Sequence, residues 1–212
     1  LDSLPIIKEA DGRAVPTLKP WKNDKVLEKI KMIEEVNAMA FAMDIDSAGL
    51  INLALAGKPV SAKSVEELKE LTESTKVPFI VKGVMTAKGA VKAYEAGAYA
   101  VVVSSHGGRV LADAPATCAM LPEIKEAVGD KIKIFVDGGI RSGADVFKAL
   151  ALGADAVLIG RPYAIAAFGG GAEGVELYTE KIGAELKETM IMTGCKNLSD
   201  ITRDKIKMPC EM

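Results

Sequence analysis

The chain has a single histidine, His106, in 212 residues, and only three cysteines, Cys118, Cys195 and Cys210. The cysteines are scattered, with no Cys-x-x-Cys and no ligand spacing toward His106. A structural zinc site draws its four ligands from clustered Cys and His, so no metal site is expected. An odd, sparse cysteine count also argues against a disulfide framework and suits a reducing, cytoplasmic setting. Neither sign of charge dominates: 27 Lys and Arg against 29 Asp and Glu leave a net charge of −2. No excess of positive charge therefore suggests nucleic acid or an anionic membrane as partner. Apolar runs such as "AMAFAM" and "ADAVLIG" fall far short of the roughly 18 residues of a membrane span. The opening "LDSLPIIKEADG" lacks an initiator methionine and both parts of a signal peptide. The expectation is a chain that starts after processing or inside a longer protein.

Hydrophobic residues make up 49% of the chain, enough at this length for one domain with a sizeable core spanning 1–212. Six apolar runs predict strands at 14–20, 38–46, 78–84, 99–105, 133–139 and 156–162. Their nearly continuous apolar character fits parallel strands covered by helices. Helix signals lie between them. "SVEE" at 64–67 and Ser142 to Asp145 read as capping boxes, and Asn23 reads as the N-cap of "DKVLEKIKMIEE". "AYEAGAYAVVVSS" and "ALALGADAVLIGR" both run from a helix end through Gly-Ala into a buried strand. Such repeated units predict a βα barrel. Glycines gather after strands, in "SSHGGR", "VDGGIRSG" and "AFGGGAEG", where a barrel has its active face.

The chemistry concentrates in those loops. His106 follows the valine run in "VVVSSHGGRV", at a strand end where the ring can project over the barrel mouth. Arg109, three residues on, offers a fork for a carboxylate, and an imidazole base beside it suits a small acid. Lys82 sits inside "PFIVKGV"; it either faces an anion or is a strand-end lysine reaching solvent or pairing with a carboxylate. "VDGGIRSG" combines flexible backbone, a helix start and Arg141, and "IGRP" repeats the arrangement with Gly160 and Arg161. Two such turns on consecutive strands predict a phosphate cradle that uses exposed amides at a helix N-terminus. Asp44 and Asp46 point to the same side if the strand continues to 46. Either can orient His106, or one can cap the next loop.

"SSHGGR", "VDGGIRSGADVFKALALGADAVLIGRP" and "VKGVMTAKGAVKAYEAGA" together resemble the FMN-dependent 2-hydroxy acid oxidase and dehydrogenase family. Glycolate oxidase, lactate oxidase and flavin-linked lactate dehydrogenases belong to it. The likeness runs from about residue 14 to about residue 205. It implies a (β/α)₈ TIM-type barrel binding FMN and oxidising a small L-2-hydroxy acid, such as lactate, to the 2-oxo acid. His106 then matches the base and Asp46 the carboxylate that pairs with it. Arg109 matches the substrate-carboxylate clamp, and Lys82 the cation beside flavin N1 and O2. Ser104, Asp137, Gly139, Arg141, Gly160 and Arg161 match flavin, ribityl and phosphate contacts. The resemblance also leads to an expected homo-oligomer; the electron acceptor, whether oxygen, quinone or protein, is not specified.

Departures from the family pattern are equally specific. Thr17 and Lys19 stand where the family carries Gln and Tyr, so Lys19 becomes a candidate substrate-binding cation. "DSAGLINLAL" lacks the second substrate arginine and the long lid. Six strands against eight imply that the first two βα units are absent, making this the C-terminal two-thirds of an FMN barrel. Two rival readings remain: a related FMN barrel such as a type 2 isopentenyl diphosphate isomerase, and a non-catalytic barrel fragment.

Overall fold

All six apolar runs become strands. The computed structural model describes residues 3–207, so Cys210 lies outside the described residues. In chain order the elements are α1 (Leu4–Glu9), β1 (Thr17–Leu18), α2 (Asn23–Glu35), β2 (Phe41–Asp44), α3 (Ile51–Leu55), α4 (Val65–Glu73) and β3 (Phe79–Val84). They continue with α5 (Ala87–Glu95), β4 (Ala100–Val103), α6 (Thr117–Val128), β5 (Lys133–Val136), α7 (Gly143–Ala151), β6 (Ala156–Val157) and α8 (Arg161–Met192). The strands form one parallel sheet in the order β1-β2-β3-β4-β5-β6. Among the described residues β1 and β6 each pair with one neighbour and not with each other, so the sheet is open. This is the truncated barrel that six strands predict.

The two faces of the sheet bury different side chains. Phe41, Met43, Phe79, Val81, Val101 and Val103 point outward into a core shared with helix residues such as Ile30, Leu71 and Ile124. Full burial of each large aliphatic side chain contributes roughly 1.5–3 kcal/mol. The inner face is narrower and carries smaller groups: Ala40, Ala42, Ile80, Ala100 and Val102, packed against Phe135 and Leu158. Side chains alternate along a strand, so the next inward positions after Ala42, Ile80, Val102 and Phe135 are Asp44, Lys82, Ser104 and Asp137. Four polar residues thus meet at the C-terminal rim of the sheet, and they do so because of strand periodicity.

Both capping boxes form: Ser64 with Glu67 and Ser142 with Asp145. Asn23 is not an N-cap. Lys22 takes that position, and Asn23 is the first helical residue. Its side-chain amide instead donates to the Glu67 carbonyl at 3.0 Å, tying α2 to α4, a tertiary bond that local pattern cannot announce. Two strands end earlier than their apolar runs. β2 stops at Asp44, and Ile45–Gly49 form a 3₁₀ turn, so Asp46 is not a strand residue. β6 stops at Val157, and α8 begins at Arg161 with Pro162 in its first turn, where a missing N–H costs nothing. "AFGGGAEG" follows no strand directly: it lies inside α8, which bends there at Gly171, whose φ is +59°. Among the described residues no helix is long and apolar enough to cross a membrane.

Candidate functional site

The backbone turns left-handed directly after β4. His106, Gly107 and Gly108 have φ of +54°, +67° and +74°. Glycine adopts this freely, whereas a non-glycine residue there is uncommon. The turn is held from behind. Ser104 Oγ accepts the His106 backbone N–H at 3.1 Å and donates to Asp137 Oδ2 at 2.8 Å. Asp46, on the 3₁₀ turn after β2, brings Oδ2 to 3.3 Å from His106 Nδ1. An ionised Asp46 accepts from Nδ1–H, so Nε2 is the nitrogen left to act on a substrate. Burial pushes the Asp46 carboxyl above its usual range, against the opposing pull of Lys82 and His106.

Gly83 makes that pairing sterically feasible. Its φ is +99°, and a Cβ there would lie 2.6 Å from the Asp46 Cβ. The register between β3 and β4 shifts at the same point, between Lys82 and Val84. A glycine inside a strand pattern signals such a bulge.

Asp44 meets two lysines. Lys19 Nζ lies 2.7 Å from its Oδ2, and Lys82 Nζ lies 3.2 Å from its Oδ1. Burial alone would raise the Asp44 carboxyl, but the two ammonium groups outweigh it and hold the group below its usual range. Lys82 also stands 3.7 Å from Asp137 Oδ2. Lys82 thus pairs with carboxylates and also lines the cavity. Of the two candidates for orienting His106, Asp46 does so and Asp44 holds the lysines. Asp44, Asp46 and His106 bring one ligand atom each within 4.8 Å, a donor set of metal-binding type. Both Asp44 oxygens already face ammonium groups, which oppose a cation there.

Arginines surround an open rim. Arg109 is exposed, and its Nε donates to the His106 carbonyl at 3.1 Å. A Cβ on Gly107 would lie 3.2 Å from Arg161 Nη2 and 4.0 Å from Arg109 Nε, so the two guanidiniums converge over that glycine. Gly138 and Gly139 both have positive φ, carrying the chain past Thr117, whose hydroxyl donates to the Asp137 carbonyl at 2.5 Å. The expected exposed amides at the start of α7 are spent. Asp145 accepts from Arg141 N and Ser142 N, and Glu185 accepts from Gly143 N. An anion here must rely on the arginine side chains and on the start of α8, which no side chain caps.

These groups enclose a cavity of about 380 Å³, within the range of small-ligand sites. Lys82, His106, Arg109, Asp137, Arg141 and Arg161 line it, together with Gly139 and Gly160. Asp46, Ser104 and Lys19 stand behind, each bonded to a lining residue: His106, Asp137 and Asp44 respectively. Thr17 and Asp44 also line it. Gly83 and Thr117 are site-builders that no chemical motif marks; only the glycine inside a strand was a signal.

A parallel βα sheet that gathers an imidazole, two lysines and a rim of arginines at its C-terminal edge defines a βα-barrel type of ligand site. Residues 16–208 match the family of FMN-dependent dehydrogenases, and the chain belongs to that family. It is 48% identical over 141 residues to an L-lactate oxidase of Lactobacillus jensenii, covering 66% of this chain and 35% of the relative. A peroxisomal (S)-2-hydroxyacid oxidase of Arabidopsis thaliana is 44% identical over 147 residues, 69% of this chain and 40% of its own. A solved mandelate oxidase superposes with a TM-score of 0.86 at 31% identity, over 94% of this chain and 65% of that one. The chain therefore spans about half or less of the curated relatives' length.

The residues present fit FMN. Among the described residues Asp137 Oδ1 is buried with no hydrogen-bond partner, whereas Asp44 Oδ1 faces Lys82 Nζ at 3.2 Å. A buried carboxylate oxygen without a donor is costly. The hydroxyls of FMN's ribityl chain are donors of the kind Asp137 Oδ1 lacks, and the arginine rim suits its phosphate.

Proposed function

We propose that this chain forms the catalytic part of an FMN-dependent enzyme oxidising a small L-2-hydroxy acid to the 2-oxo acid. The observation that carries the reading is the His106–Asp46 pair opening onto the same cavity as Arg109 and Lys82. Arg109 clamps the substrate carboxylate, and Lys19, held by Asp44, adds a second cation near it. His106 Nε2 takes one proton, and Asp46 stabilises the imidazolium that results. FMN, when bound, supplies the acceptor for the two electrons that the substrate loses with its two protons. Lys82 offsets negative charge at the ring, Asp137, oriented by Ser104, holds the ribityl chain, and Arg141, Arg161, Gly139 and Gly160 hold the phosphate. Lactate and glycolate are the first substrates to test, since relatives are named for them. The reading also includes a homo-oligomer in the cytoplasm, supported by exposed Ile165 and Phe168 and by the sparse cysteines.

The test is turnover of lactate, glycolate and mandelate by the FMN-loaded protein with an artificial electron acceptor. Reduction of the acceptor with at least one acid is expected. A yellow protein inert toward all three would contradict the proposed substrate class.

A further inference from the structure

Asp44 enters the reaction as proposed only by holding Lys19, yet its buried carboxylate also forms part of the cavity wall and holds Lys82. Burying a charge is costly unless it is paired, and such pairs often contribute little net stability compared with apolar packing. Stability alone is therefore a weak reason for a carboxylate at this position. Its electrostatic effect is larger. Lys19 and Lys82 with Asp44 sum to one positive charge; without Asp44 they sum to two, in a site where water screens poorly.

We propose that Asp44 is a positioning residue that sets how much positive charge Lys82 presents to bound FMN, and so holds down the flavin's reduction potential. The inference rests on the reading that FMN fills this cavity. Reduction adds negative charge to the flavin, so every uncompensated cation nearby favours the reduced form. Lys19 acts in the opposite sense to Asp44's effect on Lys82. It draws Oδ2 toward itself at 2.7 Å and leaves Oδ1 to Lys82 at 3.2 Å. Removing Lys19 takes away one cation and gives the whole carboxylate to Lys82.

The two variants therefore shift the potential in opposite directions. Dye-coupled redox titration of the FMN-loaded wild type, Asp44→Asn and Lys19→Met reads this directly. Asp44→Asn should shift the two-electron equilibrium toward reduced flavin by about tenfold, which corresponds to about 30 mV upward. Lys19→Met should shift it downward. A purely structural role would change FMN affinity or unfolding without opposed potential shifts. Should Asp44→Asn fail to fold, Lys19→Met alone decides: a lowered potential supports the inference and an unchanged or raised one overturns it. A yellow wild type whose potential neither variant moves overturns the inference and leaves the FMN reading intact. A wild type that takes up no FMN overturns the FMN reading, and the inference with it.

Discussion

At the scale of single residues the proposed reaction depends on one imidazole whose Nδ1 is already engaged. Replacing His106 with Gln removes the base but keeps a side chain of similar polarity. The FMN spectrum should survive, and turnover of a 2-hydroxy acid should fall by about 10²–10⁴-fold. Steady-state kinetics at saturating substrate check this. The two aspartates behave oppositely toward acid. Asp44 ionises below its ordinary 3.8, so its stabilising effect is complete above pH 3.8 and disappears as pH falls through the lowered value. Asp46 ionises above 3.8; its protonated form favours folding at low pH, and that contribution is lost as pH rises through the raised value. Asp44→Asn should therefore flatten the acid limb of stability, measured as a smaller drop in unfolding midpoint below pH 3.8 than wild type shows. The family resemblance named Asp46 as the partner of His106, but strand periodicity alone did not separate the two aspartates. Period-two alternation puts both on one strand face, whereas β2 ends at Asp44 and a 3₁₀ turn carries Asp46 to His106.

Among the elements, the β3 bulge is the one on which the site's geometry turns. Gly83→Ala places a methyl 2.6 Å from Asp46 and strains a backbone at φ +99°. The expected result is loss of activity through displaced Asp46, with a destabilisation of about 1–3 kcal/mol, checked by kinetics alongside chemical unfolding. The phosphate rim makes a second prediction. Since the α7 amides are occupied, the proposed phosphate site relies on Arg141 and Arg161 more than an open helix start would require. Arg141→Ala or Arg161→Ala should each weaken FMN binding by about 1.5–3 kcal/mol in titrations of the apoprotein. Unchanged affinity in both would place the phosphate elsewhere. Strands and capping boxes were readable because apolar runs and Ser-x-x-acid spacing are local signals. Helix starts that use distant partners were not. Asn23 bonds across to α4, and Gly143 N finds Glu185 on α8, forty-two residues away in sequence.

For the molecule as a whole, the barrel character was legible because six buried strands with glycine-rich ends admit few other arrangements. The sheet nevertheless leaves β1 and β6 as edges, with backbone groups available for pairing. The central claim concerns the face these strands share: a flavin and a 2-hydroxy acid meet there over His106. Anaerobic mixing of the FMN-loaded protein with L-lactate or glycolate tests it most directly, read as visible absorbance of the flavin. Bleaching in the wild type, and persistent yellow colour over the same time in His106→Gln, is the predicted result. Colour that persists in both proteins, or bleaching that is equally fast in both, would contradict the account.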